Sequence, residues 1–196
     1  MVLYITAVVI LLVLIVILIM VWLRKVQFDA VHRNFLDLVD HFGGRVIRGG
    51  FAVRPRYSGS FKNQHVSISI SSENWQKQRR FYIAVTMQSR AKIHFSIISR
   101  DWLESREAED RRKRHAVDLM DGRYLLEVSN PNQLKTLNIS SLNKIVEKLH
   151  PFAYVLIAKT GIILERISTN LIKDTEFPTL NRLLENVYHL KAVVEK

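Results

Sequence analysis

Acid–base or metal chemistry in this chain would have to be done without cysteine and with seven histidines that keep apart. His32, His41, His65, His94, His115, His150 and His189 include no H-x-x-x-H pair. A structural zinc site needs several Cys, His or carboxylate ligands at short spacings. The pattern therefore predicts no metal site and no cofactor. His41 follows Asp37 by four residues and sits beside Asp40. A protonated histidine is favoured near a helix C-terminus, so an ion pair at a helix end explains His41 more simply than a ligand set. Serines that could suggest a nucleophile, such as Ser67, Ser69 and Ser71, alternate with Val66, Ile68 and Ile70 as the polar side of a strand would. No paired acid and base stands out, and the expectation is a protein that is not an enzyme.

The side chains that do stand out are cations. The formal net charge is +11. Residues 24–100 carry 14 Lys and Arg against 4 Asp and Glu, whereas residues 101–196 carry 15 against 14. Nearly all of the excess lies in the first part of the chain after residue 23. A field of that sign attracts anionic lipid, nucleic acid or an acidic protein patch, and charge alone does not choose among them. The candidate anion or lipid contacts are Arg24, Lys25, Arg45, Arg48, Arg54, Arg56, Lys62, Arg79 and Arg80.

Three short motifs bear on that choice. Gly43-Gly-Arg45-Val-Ile-Arg48-Gly-Gly50 could cradle an anion, because glycines let backbone N–H groups approach it. Its order is helix, glycine, strand, whereas phosphate loops run strand, glycine, helix. A helix cap followed by a strand bend is the better reading. Arg54, Arg56, Tyr57, Phe61 and Lys62 interleave cations and aromatics, a mixture that suits lipid headgroups or stacked bases. Arg111-Arg112-Lys113-Arg114 resembles a nucleic-acid patch only in isolation. Residues 101–114 hold five basic and five acidic side chains, which reads as an ion-paired helix face or a docking surface, with nucleic acid the least favoured partner.

These cations are placed by the segment before them. Val2–Leu23 is an uncharged, almost wholly apolar run of 22 residues, ended by Arg24 and Lys25. About 20 apolar residues cross a bilayer as a helix. A cleaved signal would have a basic start, a shorter apolar run and a small-residue cleavage site; none is evident, so a retained anchor over 1–25 is expected. Tyr4 and Trp22 suit the two membrane interfaces. Arg24, Lys25 and Arg33 flank one side only, and positive flanks stay inside. The expected placement is the inner (plasma) membrane, with the N-terminus outside and the remaining domain cytoplasmic. The span contains no charged residue, histidine or glycine, so it offers no proton relay, no ligand and no G-x-x-x-G contact.

Residues 26–196 make one domain's worth of chain. Phe28, Val31, Phe35, Leu38, Val39 and Phe42 recur at helical steps, predicting a helix over 28–42 that Gly43-Gly44 ends. It follows the span so closely that the two can form one rod. Period-2 segments at 66–70, 81–87 and 93–97 predict antiparallel strands in a β-rich stretch over 46–98, with hairpin loops at 73–80 and 89–92. Asp101 and Glu104 have capping-box spacing, and i,i+4 acid–base pairs predict a charged helix over 101–117. The remainder, 123–196, reads as mixed β and α. A strand at 124–128 is followed by a helix ending before Pro151, a hairpin around Lys159-Thr160-Gly161, and a helix from Pro178. The fold class is α+β: one N-terminal transmembrane helix, then a single domain with an antiparallel sheet packed by helices.

An anchor without functional polar groups, a basic domain beside the leaflet and no catalytic set point to a non-enzymatic accessory or scaffolding subunit of a larger membrane complex. Such a complex could be respiratory, photosynthetic or transport-related. Its partners would be other membrane-protein subunits and anionic lipid headgroups. Phe28, Phe35, Arg111, Arg112, Lys113 and Arg114 are the candidate partner contacts. The alternative is a membrane-tethered anion-binding module for anionic lipid, nucleotide or nucleic acid.

Overall fold

The helical stripe that begins at Phe28 has no break before it, and span and stripe form a single helix, α1, over Val2–Phe42. The computed structural model describes all residues except 51–52, 76–77, 105–114, 129 and 196. Along α1 the environment changes while the backbone does not. Residues of the apolar run are exposed, whereas Phe28, Val31, Phe35 and Leu38 are fully buried. The helix stops at Gly43, whose φ of 70° suits glycine and whose N–H bonds the Val39 carbonyl at 2.8 Å.

Strands β1 (Arg45–Ile47), β2 (Arg56–Phe61), β3 (Gln64–Trp75), β4 (Gln78–Gln88) and β5 (Phe95–Ser99) follow. A short helix α2 (Arg100–Glu104) precedes the hairpin β6 (His115–Leu119) and β7 (Tyr124–Val128). Helices α3 (Pro131–Thr136) and α4 (Ile139–Leu149) lead to the hairpin β8 (Tyr154–Ala158) and β9 (Gly161–Ser168). A helical turn α5 (Leu171–Asp174) and helix α6 (Phe177–Val194) complete the fold.

The described strands form one antiparallel sheet in the order β1-β2-β3-β4-β9-β8-β5-β7-β6. Its register aligns Tyr57, Ile68, Val85, Leu164, Val155, Ile97, Leu126 and Val117 in one row across eight strands. All but Val117, which is partly buried, are essentially inaccessible. This row is what period-2 alternation produces when one face is covered. The cover comes from helices: α1 lies on β1 and β2, and α6 lies across β4 and β9 with α4 and α1 beside it. The fold is thus α+β, with one long apolar N-terminal helix before an antiparallel sheet and its helices.

Three expectations change. Residues 89–92 do not make a hairpin loop. β4 pairs with β9, while β5 sits between β8 and β7, so this segment crosses to a distant strand. Alternation specifies a strand's faces but not its neighbour. Residues 73–75 and 78–80 are strand, with Glu73 opposite Arg80 and Trp75 opposite Gln78, so the ladder runs further toward the turn than expected. Of the charged helix expected over 101–117, the part up to Glu104 is helical, 105–114 lie outside the described residues, and the end falls in the strand His115–Leu119. Helical ion pairs contribute only tenths of a kcal/mol each. Docking Val117 and Leu119 beside β7 buries far more apolar surface.

Candidate functional site

Above Phe28 the same face of α1 continues at helical spacing as Arg24, which is partly buried, and Val21, Met20 and Ile17, which are exposed. There it no longer meets the sheet squarely, and a cleft opens between the helix and the domain. It has a volume of about 690 Å³. Ile17, Met20, Val21, Leu23, Arg24, Val26 and Gln27 form its helical wall, with Arg79 and Phe81 of β4 and Ile172 of α5 opposite. A second cleft of about 780 Å³ shares Gln27, Arg79, Phe81 and Ile172 with it and extends past Arg80 to the turn after β9. The wall of the first cleft is mainly apolar, and its polar residues are Arg24, Gln27 and Arg79.

Arg24 and Arg79 line this cleft, and Arg54 lies behind them, joined to Arg79 through Ser72. The Ser72 hydroxyl accepts from Arg54 Nη2 at 2.5 Å and from Arg79 Nε at 3.0 Å. Arg54 Nη1 also reaches the Ile70 carbonyl at 3.5 Å. Arg24 lies over the Phe28 ring and Arg79 over the Phe81 ring, each at 5.6 Å. Burial lowers the pKa of the Arg54 guanidinium, and the charges of Arg79 and Arg24 lower it further. Among the described residues no carboxylate pairs with Arg24, Arg54 or Arg79. The Arg24 Nε is buried without a hydrogen-bond partner.

The other predicted cations separate from this group. Lys25 and Arg48 are both held by Asp29, at 2.9 and 2.5 Å. Hydrogen bonds from Lys25 and then Arg48 hold the Asp29 carboxyl below the usual carboxylate range. Arg80 lines the second cleft opposite Glu73. Arg45 lies on β1, and Arg56 donates from Nε to the Ser67 hydroxyl at 2.9 Å. Lys62 pairs with Glu185 at 2.5 Å, and its neighbour Phe61 meets Phe42 edge-on at 5.1 Å. That places Lys62 at the other end of the domain, roughly 27 Å from Arg24 along α1 at 1.5 Å per residue.

Phe28 and Phe35 are not partner contacts. Both are fully buried in the domain's own core, because an amphipathic stripe beside a sheet is covered by that sheet. Arg111, Arg112, Lys113 and Arg114 lie outside the described residues. The glycine motif is a cap and a close approach. Gly44 has a φ of 95°, and a Cβ there would collide with the Ser58 carbonyl and the Gly59 Cα. The Tyr57 hydroxyl donates to the Gly43 carbonyl at 2.9 Å. Arg48 turns to Asp29, while Arg45 lies on β1. His41 is not ion-paired either; its Nδ1 lies 2.8 Å from the Asp37 carbonyl and its ring stacks on Phe177 at 3.9 Å.

Sequence reasoning missed Ser72, which joins two arginines across the hairpin, and Asp29, which neutralises two cations. It also missed the apolar wall. Apolar spacing gives no signal for that wall, because every face of the Val2–Leu23 run is apolar; only Arg24, four residues before Phe28, marks the face.

No family model matches the chain, and no curated protein matches it. Among solved structures, the fold is similar to the crystal structure of the mycobacterial trehalose monomycolate transport factor A, TtfA. The TM-score is 0.59 with 8% sequence identity, covering 83% of this chain and 93% of that one. At that identity the likeness shows a shared fold.

Proposed function

We propose that this protein is a non-enzymatic, single-pass accessory subunit of a membrane complex, with its basic domain held against the cytoplasmic leaflet of the inner membrane. The observation that carries the reading is the unbroken α1. Its 18-residue apolar window is entirely unburied and long enough to cross a membrane, while its last four turns lie in the core of the domain. A tether would need a flexible joint; a continuous helix instead fixes the domain's pose relative to the bilayer. Helices with bare apolar faces find lipid or other helices, and a Val, Ile and Leu surface packs by van der Waals fit. The one-sided flank of Arg24, Lys25 and Arg33 favours a cytoplasmic domain. TtfA is named as a transport factor, so a transport assembly is the first kind of complex to examine.

Isolation from the native membrane in mild detergent tests this reading. The expected result is co-migration with other membrane proteins at fixed stoichiometry. Recovery only as a free monomer would contradict it. A second reading, a membrane-tethered anion-binding module, is favoured by one observation: the grouping of Arg24, Arg54 and Arg79 without a carboxylate.

A further inference from the structure

The cleft beside α1 has two chemically distinct halves. One half is the apolar wall of Ile17, Met20 and Val21, on the segment long and apolar enough to cross a membrane. The other is the arginine group at the end of that segment. Like charges this close repel, and burial removes part of the water that would screen them. Within the described residues their partners are a hydroxyl, a carbonyl and two aromatic faces, all neutral. An anion in the cleft would relieve that repulsion, and a phosphate accepts paired guanidinium hydrogen bonds well. A soluble anion would leave the apolar half empty, whereas an acyl chain would fill it.

We propose that the cleft binds one anionic phospholipid, with the phosphate against Arg24 and Arg79, backed by Arg54 through Ser72, and one acyl chain along Ile17, Met20 and Val21. The proposal rests on the membrane placement of α1 argued above. It assigns the lipid a structural role: it fills the gap where the helix parts from the sheet and joins α1 to the β3–β4 hairpin. Arg54 and Arg79 are already oriented for this by Ser72, so few rotamers remain to be fixed on binding.

The test uses the full chain in nanodiscs of phosphatidylcholine and phosphatidylglycerol, with native mass spectrometry reading the lipid retained after release. The expected result is one phosphatidylglycerol kept in preference to phosphatidylcholine. Arg24→Gln/Arg54→Gln/Arg79→Gln should lose that preference by on the order of a hundredfold, given the attraction of each cation near a leaflet. Met20→Trp, which fills the apolar half and leaves every arginine and the domain core in place, should lose it too. Arg45→Gln/Arg56→Gln/Lys62→Gln removes the same charge elsewhere and should keep it. Equal retention by the wild type of both lipids, retention by the triple arginine variant, or equal loss in the charge-matched control would each overturn the site. A chain that enters nanodiscs without lipid preference overturns only this proposal; one that fails to enter overturns the membrane reading as well.

Discussion

At the scale of single residues, the structure separates cations that are spent from cations that are not. Asp29 takes up Lys25 and Arg48. Glu195 plays a similar part at the other end of the chain, accepting from Arg90 N at 2.7 Å, Ser89 Oγ at 3.0 Å and Lys191 Nζ at 2.7 Å. Burial raises the Glu195 pKa, but these donors outweigh it and the net shift is downward. Both carboxyls thus have folded pKa values below their unfolded ones. Each contributes stability above the unfolded carboxyl pKa and loses it as pH falls through the folded value. Asp29→Asn and Glu195→Gln should each flatten the acid limb of stability against pH, as measured by denaturant unfolding; an unchanged limb would show that these contacts carry no linkage. Glycine acts sterically at this scale. Gly44→Ala should cost at least about 2 kcal/mol, from left-handed backbone strain plus overpacking against β2. A loss under about 0.5 kcal/mol, ordinary for a surface change, would contradict the close approach.

At the scale of elements, α1 is both membrane segment and core helix, and its lower stripe should bear the load of a core. Phe35→Ala should destabilise the domain by about 3–5 kcal/mol, the range for a buried phenylalanine. A cost near zero would mean that the helix does not dock on the sheet. Much of this was legible in the sequence. The helical recurrence of Phe28 to Phe42, the alternation of Val66 to Ile70 and the Asp121-Gly122 turn each appear where local pattern dictates. Strand order was not legible. Nothing in Ser89–Lys92 announces that β4 turns to β9 while β5 goes to β8 and β7, because pairing is settled by distant partners. The site was half legible for the same reason. All nine cations could be named, but Arg54 and Arg79 meet only because the β3–β4 ladder brings Ser72 between them.

At the scale of the whole molecule, the account rests on one rigid connection. If α1 crosses the bilayer up to Leu23 and continues unbroken into the core, Asn74 and Arg79, opposite one another near the end of the β3–β4 hairpin, lie at the level of the membrane surface. Lys62 and the β2–β3 turn then lie at the opposite end, against α6. The absence of cysteine makes this direct to measure, since single labels need no background removed. The measurement is spin-label accessibility in the reconstituted full chain, with cysteine introduced at Asn74 or at Lys62. Lipid-soluble oxygen and a water-soluble nickel complex serve as competing relaxants. The expected result is that the label at position 74 is shielded from nickel and relaxed by oxygen, as at a membrane interface, and that the label at position 62 shows the reverse. Equal exposure of both labels to nickel would contradict it, by showing that the domain hangs clear of the bilayer.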